Sequence, residues 1–296
     1  AATDSKIKDI LKQWKFISAA SVKEIPDTWI NLQNGFYDTI SDKLIPHSPD
    51  RVSFIQLPFS WEKKPGKAER FFKYLNFAQA NNPEAIDSIQ KFAGYCLTNE
   101  NQYQMALWLY GKGGAGKSKL AEILSMLVGQ QNTTTVRLEK LEDKFETSQL
   151  LDKRLVWIDE ITIDYFTRAT ENRLKAMITG GSMTIEMKYG QPFIYQPKAK
   201  WIFTANSLPL VNDASEGFWR RFILLPFMHV VSQEDKDPFL AEYIQKNELP
   251  AIFNWGLEGL KRLRSEGFKE PKISHEAKEI WKEDSEPLRV FIEDYL

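Results

Sequence analysis

The stretch that most constrains this chain is GKGGAGKS, Gly111 to Ser118. It falls between an apolar run, MALWLY, and an amphipathic run, KLAEILSMLVG, so a strand must hand over to a helix through a glycine-rich turn. Glycines allow backbone dihedrals closed to other residues, so successive N–H groups can point inward, and the following helix adds its positive end. Such a loop cradles phosphate. The expected contacts are Gly111, Gly113, Gly114, Ala115, Gly116, Lys117, Ser118 and Lys119. Lys117 is expected on the β- and γ-phosphates and Ser118 on Mg2+, which makes ATP and Mg2+ the expected cofactors.

Strand-like and helical patterns alternate from Met105 to Phe227. MALWLY, TTTVRL, RLVWID, KWIFTAN and RFILLPF are the strand candidates, and the alternation predicts an α/β core with a parallel sheet. A phosphate loop needs an acidic anchor at the end of a neighbouring strand, and RLVWIDE offers Asp159 and Glu160. Asp159 is expected to reach the Mg2+ shell, directly or through water, and Glu160 to orient and deprotonate the attacking water. Alone, a strand ending in two acids is commonplace; its position after the loop gives it weight. KWIFTAN ends in Asn206, whose amide can hydrogen-bond the γ-phosphate or the water. In EGFWRRFILLPF, Arg220 and Arg221 open the next strand. They either bind surface carboxylates or supply an arginine finger to a neighbour's ATP site.

The flanks divide the rest. With 296 residues, 43% hydrophobic, the chain can bury a large core. No run of about 18 apolar residues occurs, so a soluble protein without a membrane span is expected. Cys96 is the only cysteine, which rules out an internal disulfide, and His47, His229 and His275 lack ligand-like spacing. A net charge of -1 argues against a broad basic face, so any DNA contact must come from a local segment. Residues 1 to about 20 read as a helix and Val22 to Trp61 as short β-like runs. Two helical patterns follow, AERFFKYLNFAQA and PEAIDSIQKFAGYCL, and three more beyond Phe227 suggest a helical lid. The expected parts are a connector with a β-rich segment at 1–64, a helical subdomain at 65–104, the ATPase core at 105–228 and a helical region at 229–296. The lack of an initiating Met and the charged helical end PLRVFIEDYL suggest a piece of a longer polypeptide.

In this order the motifs resemble those of the superfamily 3 helicases, especially the helicase part of phage, plasmid and poxvirus primase-helicases. GKGGAGKS looks like that family's Walker A, RLVWIDE like its Walker B, and TGGSMTIEMKYGQPFIYQPKAKWIFTAN like its hairpin and sensor segment. NGFYD, LIPHSPD, FAGYCLT and WGLEGLKRL extend the resemblance from about Asn34 to the end. It implies a P-loop NTPase with an AAA+-like parallel sheet core that forms hexamers, hydrolyses ATP between subunits and translocates on single-stranded DNA. Arg221 resembles the family's finger, with Arg220 its close competitor. Lys188 and Tyr189 occupy the tip of the hairpin that tracks DNA, and the residues agree: TIEMK alternates, Tyr189 and Gly190 suit a turn, and a lysine beside an aromatic suits phosphate contact and base stacking. Lys144 is a candidate counterpart of a γ-phosphate-sensing lysine. No primase or polymerase carboxylate cluster is present, so such a portion is expected outside this chain, and the expected location is cytoplasmic, at the site of viral or plasmid replication. Two other readings stay open: an AAA+ ATPase that loads or remodels a protein partner, and a P-loop phosphotransferase.

Overall fold

The computed structural model describes residues 23–141, 146–161, 163–186, 191–212, 215–234 and 236–286. It starts with β1 (Lys23–Glu24) and an antiparallel meander of β2 (Trp29–Leu32), β3 (Gly35–Asp38) and β4 (Lys43–Ile45); β5 (Arg51–Val52) then returns to pair with β1 in parallel. The WINL run alternates, burying Ile30 and Leu32 beneath the meander.

Two helices follow, α1 (Glu69–Ala78) and α2 (Pro83–Cys96). Asn82 caps α2, accepting from Glu84 N and Ala85 N, and Pro83 takes the first helical position, where a missing N–H is no loss. No side chain of its own segment caps α1. Glu248, buried and far along the chain, accepts instead from Arg70 N at 3.0 Å and Phe71 N at 2.9 Å. A carboxylate is well placed at the positive end of a helix, and the two amides satisfy its buried charge.

Next come β6 (Ala106–Gly111), α3 (Lys117–Val128), β7 (Thr133–Thr134), β8 (Leu155–Ile158), α4 (Arg168–Ile178), β9 (Met183–Ile185), β10 (Phe193–Tyr195), β11 (Lys200–Ala205), α5 (Glu216–Trp219) and β12 (Phe222–Phe227). Five of these strands form one sheet in the order β12-β6-β11-β8-β7, and every neighbouring pair is parallel. Along β6, Leu107 and Leu109 enter one apolar cluster while Ala106 and Trp108 enter the other, so the unbroken apolar run reflects burial on both faces. TTTVRL contributes only Thr133–Thr134, at the sheet edge: further on, the Arg137 N–H is taken by the Glu146 carboxylate at 2.7 Å rather than by a strand. β9 and β10 make an antiparallel hairpin in which Ile185 faces Phe193. Lys188, Tyr189 and Lys144 lie outside the described residues.

The described residues close with α6 (Leu240–Asn247), α7 (Leu249–Glu266) and α8 (Lys272–Asp284). Where a lid was expected, α7 and α8 instead form walls of the core. α7 lies against α2 so closely that a Cβ on Gly94 would come 2.3 Å from Gly256 O, and one on Gly259 2.3 Å from Gln90 O. α8 packs against β12 and buries Trp281 among Trp108, Trp219 and Phe222. An amphipathic pattern says that one face is buried without naming what covers it. Residues of the meander, α1, α2, α3, the sheet, α6 and α7 share one apolar cluster. Among the described residues no helix is long and apolar enough to cross a membrane.

Candidate nucleotide site

Parallel strands all finish at the same edge of the sheet, the usual place for a ligand in an open α/β fold. Here β6, β8 and β11 run out into a cleft of about 270 Å³ lined by the glycine loop, Asp159, Glu160, Thr204 and Asn206. The loop takes its shape from glycines at φ +130° (Gly111), +78° (Gly114) and +95° (Gly116). A Cβ on Gly111 would meet Phe227 O at 2.4 Å, and one on Gly116 the ring of Tyr74 at 2.9 Å, so side chains are excluded there by space as well as by dihedral.

Lys117 begins α3 and is almost fully buried. Its ammonium donates to Gly111 O at 2.7 Å, Lys112 O at 2.9 Å and Asn206 Oδ1 at 3.0 Å. Burial pushes its pKa down, against the opposing pull of Asp159 and Glu160. Ser118 Oγ donates to Asp159 Oδ1 at 2.9 Å, and the Thr204 hydroxyl donates to the same oxygen. The strand order explains the convergence: β11 lies between β6 and β8, so Asn206 emerges between the loop and the acids. Glu160 is exposed and sits at φ +49°, a left-handed conformation that costs a non-glycine residue on the order of 1 kcal/mol. The next residue, Ile161, closes that turn by donating to Thr204 O at 3.1 Å. Ala115 is buried under the loop; Lys119 lines the cleft, but its ammonium is held by Glu122 at 2.6 Å.

Two residues at the site escaped the sequence reading. Tyr74, from α1, donates its hydroxyl to Gly116 O at 2.7 Å, and burial holds the phenol protonated far above its ordinary range. Nothing in the local pattern of α1 signals that contact. Thr204 was legible in principle, because residues two apart on a strand share a face and Asn206 was already assigned to the site.

Arg220 and Arg221 are not brought to the loop of their own chain. β12 pairs Phe222 with Ala106 and Phe227 with Gly111, so both arginines precede the strand at the opposite end, roughly 17 Å away along it. Arg220 is exposed at the end of α5, whereas Arg221 is half-buried with Nε and Nη1 shielded from solvent.

Comparison with known proteins bears on this arrangement at a coarser level. A family profile described as D5 N terminal like matches residues 1–80, and one described as a family of unknown function (DUF5906) matches residues 109–221. A curated relative, "Putative helicase L207/L206" of Acanthamoeba polyphaga mimivirus, is 22% identical over 293 residues, covering 90% of this chain and 30% of the relative. The chain thus spans under a third of that protein's length. Among solved structures, the A form apo structure of the NrS-1 C-terminal region superimposes with a TM-score of 0.60 at 21% identity, covering 79% of this chain and 56% of that one. A second A form apo structure of the same region gives 0.61 at 19% identity, covering 77% and 54%. These two matches show a shared fold. The amino-terminal profile and the viral relative add likeness in sequence to that likeness in fold.

Proposed function

We propose that this chain is the ATP-hydrolysing motor of a superfamily 3 DNA helicase, built on an AAA+-like P-loop core and working as a hexameric ring on single-stranded DNA in viral or mobile-element replication. The observation that carries this reading is the convergence of two adjacent hydrogen-bonded pairs, Lys117 with Asn206 and Ser118 with Asp159, at the carboxyl ends of three strands. The residues present fit ATP with Mg2+. The glycine loop and the start of α3 suit a diphosphate, Lys117 a terminal phosphate, and the paired oxygens of Ser118 and Asp159 a hard divalent cation. Bound ATP and Mg2+ supply the anhydride to be cleaved and the charge that offsets its oxygens. The chain's own groups do the rest. Lys117 redirects its donors from the loop carbonyls to phosphate, Glu160 accepts the proton of the attacking water, and Asn206 orients that water or the γ-phosphate.

The sheet register supports an assembly of this kind. Arginines at the far end of β12 reach an ATP site only if it belongs to a neighbour, and exposure favours Arg220 over Arg221 as the group that enters it. The segment that joins β9 to β10, which carries Lys188 and Tyr189 in the sequence, is then the element that grips the strand.

The test is ATP turnover with and without single-stranded DNA, measured beside molecular mass in solution with an ATP analogue. The expected outcome is DNA-stimulated turnover by an oligomer, lost on Arg220→Ala or Arg221→Ala. Stimulation by a protein partner alone would favour the remodelling reading. A monomer indifferent to both arginine variants would favour a phosphotransferase.

A further inference from the structure

The opposite end of the sheet holds a second cavity, of about 230 Å³, which the ATPase reading leaves unused. It opens where β8 begins, and its walls include Ile25, Phe54, Arg154, Tyr195 and Lys198. Arg154 immediately precedes β8 and is 3% exposed. Of the five donors on its guanidinium, the Nη1 group is used on Asn99 Oδ1, and the buried Nε has no partner. Carboxylates near the cavity do not complete it: Asp27 is engaged by Lys198 at 2.7 Å, and Glu24 and Asp152 form no ion pair with Arg154. Beside it in the sheet lies a second buried basic group. Lys200 pairs in register with Leu155, and its ammonium donates to the carbonyls of Lys198 (2.6 Å) and Thr98 (3.4 Å) and sits 4.5 Å from the Tyr95 ring centre. Burial, with Arg154 adding to it, pushes the Lys200 pKa down to about 7. Buried positive charge without a counter-charge is costly, and an anion entering the cavity would offset it.

We propose that this cavity binds a backbone phosphate of single-stranded nucleic acid, with the Arg154 guanidinium on the phosphate and Phe54 as a stacking face for an adjoining base. One feature selects a nucleic acid strand over a free anion. Phe54 stands on the rim with 66% of its surface exposed, as a base platform requires. The far end of β10 reaches the cavity wall at Tyr195, with Lys198 just beyond it. A planar fork with unused donors suits a phosphodiester better than a lysine would. The inference rests on the DNA-motor reading and adds to it a second, distinct contact.

The experiment is an anisotropy titration of fluorescein-labelled oligodeoxythymidine at several salt concentrations. It compares the unmodified chain with Arg154→Met and Phe54→Ala, and uses inorganic phosphate as competitor. Arg154→Met is expected to weaken binding about 10-fold and to remove about 1 from the slope of log affinity against log salt. Phe54→Ala is expected to weaken it by roughly 5- to 10-fold at unchanged slope. Because Phe54 is exposed, its variant reports even where Arg154→Met fails to fold, which thermal melting reveals. Oligonucleotide binding equal to the unmodified chain in both folded variants overturns the proposal while leaving the motor reading intact. Binding of phosphate that depends on Arg154 without any change in oligonucleotide affinity also overturns it, assigning the cavity to a free anion. So does a loss of self-association alone, which would make the cavity a contact between copies. An unmodified chain that binds no oligonucleotide sinks both readings together.

Discussion

At its carboxyl end the five-stranded sheet finishes in glycines, carboxylates and an amide open to solvent, while at its amino end the same strands start among aromatic rings. Ala106, the first residue of β6, lies in register between Trp201 and Phe222. Two residues further in, Trp108 contacts Phe222 and Trp281, with ring centres 5.5 and 4.9 Å apart, and Trp281 in turn contacts Trp219 at 5.1 Å. The contrast teaches how a strained site is kept in place. Glu160 in a left-handed turn and Lys117 desolvated by burial are each unfavourable locally, and such features persist only where a rigid base over-determines them. The candidate site and its rigid aromatic base thus lie at opposite ends of the same strands.

Lys117→Ala offers the sharpest way to break that division. Turnover is expected to fall by about 10³-fold, since a preorganised cation at the developing charge is removed, while the melting temperature stays within a few degrees. Retained turnover in a steady-state ATPase assay would mean that the carboxyl end is not the site. Trp281→Ala attacks the other end. Removing a fully buried indole, whose Nε1 donates to Pro209 O at 2.6 Å, is expected to cost about 3–5 kcal/mol in urea unfolding, with turnover per folded molecule little changed. A matching loss of turnover in the folded fraction would show that the two ends are not separable. A third test is a pH dependence. The Lys200 pKa is about 7 when folded against about 10.5 unfolded, so between those values the unfolded chain binds more protons and stability rises with pH. The favourable state is fully present above about 10.5 and lost as pH falls through about 7. In urea midpoints measured from pH 7 to 10, Lys200→Met is expected to show a flatter rise than the unmodified chain; parallel curves would remove this account.

Much of this was legible because burial writes itself into composition. MALWLY, RLVWID, KWIFTAN and RFILLPF are apolar on both faces since helices cover both, and each matches a strand of the sheet. GKGGAGKS announced its own backbone, since three of its glycines take positive φ. Register, however, is invisible in a single sequence: nothing in EGFWRRFILLPF reveals that its arginines stand at the end remote from the loop, which takes the pairing of Phe222 with Ala106. Long-range polar contacts are hidden for the same reason. Tyr74 reads as one more aromatic on an amphipathic helix, and Arg154 as an ordinary surface charge ahead of a strand, until the chain folds around them.

The carboxylate of Glu248 ties these regions together. It holds the first amides of α1, the helix whose Tyr74 hydroxyl clasps the phosphate loop, although it belongs to the junction between α6 and α7. Cutting the chain back to the motifs alone would leave α1 without its anchor and the loop without its clasp. Trimming at the end of the sheet, after Phe227, would therefore remove the group that anchors the helix bearing Tyr74.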